Sequence, residues 1–214
     1  NIPDLEKPEN PGPSEEDNYT TYFGMLSFEE LWPKEGDYDM NDVVIYYESK
    51  VYKNDKNQII ATEDQILPYW DGAGYDKFNG FGYQLSVTPD KVSSVQITSE
   101  NYEFTSSPLF QFDSKGLEER VDNAIIILAD DMKKATKQHS KFIVKTTFAS
   151  PQSGSTFLLP PYNPFIIIDA HEERDKELHL PNYAPTKRMD TSYFGTKNDI
   201  SDPAQQMYYI GKEN

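Results

Sequence analysis

Phe28-Glu29-Glu30-Leu31-Trp32-Pro33-Lys34-Glu35-Gly36-Asp37-Tyr38-Asp39-Met40-Asn41-Asp42-Val43-Val44-Ile45-Tyr46-Tyr47-Glu48 runs an acidic loop straight into an apolar stretch, and that exit decides the fold. Asp37, Asp39, Asn41 and Asp42 are short oxygen-bearing side chains placed just after Gly36. Calcium takes roughly 6–8 oxygen ligands, and alternate positions of a curled loop let successive side chains point at one ion. The spacing fits the first three ligand positions of the calcium loop D-x-[DN]-x-[DN]-G-x5-E, and Glu48 falls on its last. Two features break the fit. Asp42 stands where the template needs a glycine, and the exit Val43-Val44-Ile45-Tyr46-Tyr47 is β-branched and aromatic where the template needs a helix. A strand rising about 3.3 Å per residue carries Glu48 roughly 20 Å from Asp42, out of reach of the ion. The acid that completes the set is then Glu29 or Glu30, just upstream, or one from another loop. An Asx-rich turn would use some of these residues without any ion, but four oxygen ligands so close together exceed what a turn needs. The expectation is a calcium site at the lip of a β-strand.

Working outward, the chain alternates strand and turn. Tyr19 to Leu26 leads into the acidic loop, and Val43 to Val51 leaves it. Lys53 to Asn57 forms a polar turn, and Gln58 to Leu67 returns. Asp71 to Gly80 is rich in glycine and closes on Asn79-Gly80, a tight-turn pair. It lacks the strand-to-helix setting of a phosphate-binding glycine loop. Phe81 to Thr88 alternates large and small residues at period two. Further strands are expected over Val92–Thr98, Asn123–Ala129, Ser140–Ala149 and Pro164–Asp169, and only Asp130–Gln138 has a helical pattern. Ala124-Ile125-Ile126-Ile127-Leu128 has no polar alternation, so it belongs at the centre of the core. Eight or nine short strands with almost no helix predict an all-β, antiparallel β-sandwich, jelly-roll-like. The acidic, proline-rich residues 1–18 cannot repay their ordering entropy and read as a linker, leaving 19–214 as the domain.

Composition sets the outer limits. The net charge of −16 and pI near 4.5 argue against nucleic acid and anionic membrane surfaces as partners. Only 36% of residues are hydrophobic, yet 15 Tyr and 12 Phe supply the burial that aliphatic residues do not. Without cysteine there are no disulfides and no thiolate chemistry, which does not exclude export. No apolar run approaches the length of a spanning helix. The chain opens at Asn1 with no Met, as a processed export product would.

Phe28-Glu29-Glu30-Leu31-Trp32-Pro33 followed by Gly36-Asp37-Tyr38-Asp39-Met40-Asn41-Asp42-Val43-Val44 resembles the signature of the LruC domain family, surface lipoproteins and secreted proteins of Gram-negative gut bacteria. Phe78-Asn79-Gly80-Phe81-Gly82 and Glu177-Leu178-His179-Leu180-Pro181 through Ala184-Pro185-Thr186 resemble further elements of that family. The resemblance spans roughly residues 20–214, with Met40 where the family usually has Phe. It implies an extracytoplasmic place, at the cell surface or secreted, a lipid anchor through a removed N-terminal segment, and a further strand beyond Asn214. It implies no activity.

The catalytic signals are thin. His171-Glu172-Glu173-Arg174-Asp175 begins like the zinc motif H-E-x-x-H but has Asp175 where the second histidine belongs. Gly154-Ser155 lacks the surroundings of a nucleophile elbow. His179, between two leucines, reads as a hydrogen-bonded, half-buried residue. Two functions from different classes follow. The first is a non-catalytic, calcium-binding surface module for a glycan or a protein partner, with Trp32, Tyr69, Trp70, Tyr75 and Phe78 as flat contact faces. The second is a secreted hydrolase with an acid pair near the glycine-rich loop. The absence of a catalytic motif favours the first.

Overall fold

The computed structural model describes residues 18–37, 39–74, 78–105 and 108–212. The expected linker, apart from Asn18, and Tyr75 lie outside these residues. The chain folds as a nearly all-antiparallel β-sandwich. One sheet has the order β1-β2-β3-β7-β5, from β1 (Asn18–Phe28), β2 (Val43–Lys53), β3 (Ile59–Trp70), β5 (Val92–Glu100) and β7 (Lys141–Gln152). The other has the order β6-β4-β8-β9, from β4 (Gly80–Gln84), β6 (Ile125–Ala129), β8 (Asn163–Ile167) and β9 (Glu177–His179). A short helix, α1 (Met132–Lys137), joins β6 to β7. It starts where the Asp131 side chain accepts from Lys134 N at 2.8 Å, an N-cap that satisfies one orphan donor. No helix among the described residues is long and apolar enough to cross a membrane.

The strand sequences explain which faces are covered. Along β1, Leu26 and Phe28 turn into the sandwich, and they pair with Ile45 and Val43 of β2, both fully buried. These side chains meet Phe81, Tyr83, Ile126 and Ile166 from the opposite sheet in one continuous core. The four-stranded sheet is covered on its other side too. There Ile125, Ile127, Phe165 and Ile167 pack with Phe110 under Phe104, Leu109 and Val121. Burial on both sides is why the β6 sequence shows no polar alternation, and each buried aliphatic side chain stabilises by ~1.5–3 kcal/mol.

One expectation is corrected and one unexpected strand is added. The strand expected over Phe81–Thr88 ends at Gln84, and beyond it the chain folds round Ala124, which accepts from Leu85 N and donates to Val87 O. The three-residue β9 carries Glu177 and His179 into the interior, where polar residues disguise a buried strand.

Candidate metal centre and its aromatic neighbour

Five of the six predicted ligands meet at the mouth between β1 and β2. Carboxylate oxygens of Glu29, Asp37 and Asp39 all lie within 4.8 Å of one another. Asp42 belongs to the same cluster: it hydrogen-bonds the Glu29 carboxyl, and its Oδ2 accepts from Glu30 N at 2.7 Å. Asn41 joins through its amide, whose Nδ2 donates to Asp39 Oδ2. The loop is built for this closure. A Cβ on Gly36 would stand 2.7 Å from Glu29 Cγ and Oε1, so a larger residue there would push the Glu29 carboxylate from its place. Met40, between Asp39 and Asn41, takes the left-handed conformation at φ 54, at a cost of about 1–2 kcal/mol for a residue with a side chain.

The acids crowd one another. Burial, then a hydrogen bond and the negative charge of Asp42, then Asp37 and Asp39, push the Glu29 carboxyl up to about 8. Its Oε2 is buried with no hydrogen-bond partner. Acids crowded this closely repel one another, and a hard dication would convert that repulsion into coordination. The oxygens are also closer than the roughly 5–9 Å between the carboxyl groups of a glycosidase pair. The residues therefore fit calcium: several oxygens, no softer donor, and a backbone already curled round them.

Glu30 does not join this group. Adjacent residues in extended chain point to opposite sides, and the Glu30 side chain turns toward the glycine-rich loop, where Oε2 accepts from Asn79 Nδ2 at 2.6 Å and Oε1 from Gly74 N at 3.4 Å. Glu48 stands on β2 opposite Phe23 and Gln65, as a strand residue must.

The predicted contact aromatics divide. Trp32 is buried: its Nε1 donates to Asp199 Oδ1 at 3.0 Å, and Phe194 and Tyr209 pack on its ring at 5.6 and 5.1 Å. It lines a cavity of ≈140 Å³ with Phe28, Glu29, Met40, Leu178 and Leu180, so it works as packing beside the acidic loop. Phe78 is half-buried and stacks on His171, with centroids 4.4 Å apart. Tyr69 and Trp70 are the surface aromatics, 52% and 55% exposed. Sequence reasoning missed their companions. Phe23 (77% exposed) and Met25 (56%) lie on the solvent side of β1, and Met25 pairs with Tyr46, whose ring meets Tyr69 at 5.0 Å. The alternation along β1 was visible, but it did not say which face would stay open. Farther along the same side the surface turns polar, where Lys50 and Lys145 both contact Glu63.

Trp70 pairs with Val44, two residues after Asp42. Just beyond it, Gly72 N donates to Asn41 O at 3.0 Å. The acidic loop and the exposed aromatic surface thus share one end of the sheet.

Glu177, His179 and Thr186, from the third resembling element, also come together, but inside the protein. Glu177 Oε1 accepts from Thr186 Oγ1 and Arg174 Nη1, both at 2.6 Å, and its Oε2 pairs with His179 Nε2 at 3.0 Å. Against the cost of burial, these partners hold the Glu177 carboxyl down at about 2. Arg174 also clasps Glu118, so the stretch that began like a zinc motif is a turn around a buried ion pair. His179 is fully buried, more so than the sequence suggested.

Residues 57–214 match the family described as a domain of unknown function (DUF4842). The chain belongs to that family. Its matched span takes in Asp71, Asn79 and the Glu177 network, and it begins after the acidic loop. No curated protein and no solved structure matches the chain.

Proposed function

We propose that this protein is a non-catalytic, calcium-binding module of the cell surface or secreted space, which recognises a glycan or a protein surface through Met25, Tyr46, Tyr69 and Trp70. One observation carries the reading: Trp70 pairs with Val44 directly beyond the acidic loop, so an ion held there would fix the end of the aromatic surface. Aromatic rings on a sheet offer flat faces to sugar rings or anchors to a protein. Extracellular modules commonly hold calcium at about 10⁻⁴ to 10⁻³ M, which suits a surface protein with a half-open acidic loop. The resemblance to the LruC domain family supports the same location, including a lipid anchor.

The test is a glycan array together with a pull-down from a mucosal extract, each run in millimolar calcium and in chelator. Binding that needs both calcium and Trp70 supports the module. Binding unaffected by Trp70→Ala, or release of cleaved sugar, overturns it.

A further inference from the structure

We propose that Asp71, Asn79 and Glu30 form a second site for a hard divalent cation, beside the Asp37–Asp42 loop and separate from it. This goes beyond the calcium reading of the first loop and stands on a different set of oxygens. The Asp71 side chain is only 2% exposed, yet neither of its oxygens has a close hydrogen-bond partner, the backbone amide of Ala73 giving it only a weak stabilising contact. Asn79 is fully buried, and its Oδ1 is likewise without a partner, while its Nδ2 donates to Glu30 Oε2 at 2.6 Å. Buried carboxylate and amide oxygens are almost always satisfied, because each orphan costs about 1–3 kcal/mol. Three orphans on two neighbouring side chains need a common explanation.

Among the described residues, Lys133 is the cation placed beside Asp71, and it does not supply that explanation. Lys133 Nζ is committed to the carbonyls of Ala73 and Gly74, at 2.7 and 2.5 Å, and stays 3.8 Å from Asp71 Oδ1, beyond hydrogen-bonding distance. Its charge offsets only part of what burial and Glu30 do: together these push the Asp71 carboxyl up to about 7. The surrounding backbone is pinned. Met132 N donates to Asn79 O at 2.7 Å, and Gly72 N donates to Asn41 O, so the oxygens are held on ordered chain. The ligand atoms that Asp71, Asn79 and Glu30 offer are oxygens, and that selects calcium or magnesium over softer metals.

The test is calorimetric titration of the full chain with calcium chloride alone. Two equivalents are expected. Asp71→Asn, which keeps the shape, should remove one of them and leave the one that Asp39→Asn removes. Asn79→Asp adds a carboxylate where a ligand oxygen is proposed, and should tighten the second equivalent severalfold. One equivalent in the wild type, lost in Asp39→Asn and intact in Asp71→Asn, overturns the second site while leaving the first. Appearance of a second equivalent only in Lys133→Gln would also overturn it, by showing that the ammonium fills the place. Binding that survives Asp39→Asn but not Asp71→Asn would uphold this site and refute the first.

Discussion

A Cβ on Gly72 would stand 2.0 Å from Asn41 Oδ1, although the two residues lie on different loops. The contact joins the glycine-rich segment to the acidic loop. Gly72→Ala should force the Asn41 amide out of its place and leave the sheets untouched. We expect calcium affinity to fall of the order of tenfold, about 1.4 kcal/mol, with an unchanged far-ultraviolet circular dichroism spectrum. Unchanged affinity would show that Asn41 is not a ligand.

The pH dependence of the calcium-free protein follows from the raised carboxyls. Glu29 at about 8, Asp71 at about 7 and Asp64 at about 6 all titrate in the folded protein above their usual range, Asp64 because it is fully buried beneath Tyr83 and Tyr162. Between their ordinary values and these, the folded state binds more protons than the unfolded, so stability falls as pH rises from about 4 to 8. Glu177 works the other way: held at about 2, it adds stability that is lost as pH drops from its usual range toward 2. Urea melts in chelator should therefore show greatest stability near pH 4 to 5. Saturating calcium should flatten the fall above that, because it binds the ionised acids. A chelated protein that gains stability from pH 5 to 8 would contradict the charge arrangement.

Arg174 is 3% exposed and bridges Glu118 and Glu177. Arg174→Ala leaves two buried carboxylates uncompensated and should cost about 3–5 kcal/mol, read from the urea midpoint. Lys187→Ala, which breaks the exposed pair with Asp122, should cost less than about 1 kcal/mol. Equal effects from both would mean that the buried network contributes little.

The two tryptophans should differ in fluorescence. Trp70 is 55% exposed and Trp32 only 9%. Iodide should quench Trp70 strongly in free protein and weakly once a ligand covers it. Trp70→Ala should shift stability by less than about 0.5 kcal/mol, as exposed substitutions do. Strong quenching in Trp70→Ala would show that Trp32 is reachable and that its packing has been misassigned.

Where the sequence spoke clearly, it was through pattern. The Val43–Tyr47 exit and the Ile125–Ala129 run each gave a strand, the Phe81 alternation gave one only as far as Gln84, and the Asp130–Gln138 pattern gave the short helix. The clustering of Asp37, Asp39, Asn41 and Asp42, the proposed ligands, was legible because loop neighbours stay neighbours in space. Glu29 and Glu30 were indistinguishable, since adjacent residues differ only in which side they face, and that depends on the strand before them. Trp32 looked like a loop residue because its partners, Phe194, Asp199 and Tyr209, come from the far end of the chain. Asp71 was hidden for the same reason: the charges that surround it, Lys133 and Glu30, are connected to it by no local pattern.

Removing the first site's ion should also register as heat. If that site binds calcium at about 10 μM, millimolar calcium is roughly hundredfold saturating and adds about 2.7 kcal/mol to the folded state. For a chain of this size that is a melting shift of roughly 5 to 10 °C on adding chelator. Asp39→Ala and Asp39→Asn should both abolish the shift from this site, while Glu48→Gln, out on β2, should keep it.

The most direct measurement is calcium binding itself, by calorimetric titration carried to millimolar calcium on the wild type beside Asp39→Asn. The account predicts uptake in the wild type and loss, in Asp39→Asn, of the equivalent held by Glu29, Asp37, Asp39 and Asp42. Identical isotherms for the two proteins, or no uptake in either, would contradict it and leave the loop an acidic turn.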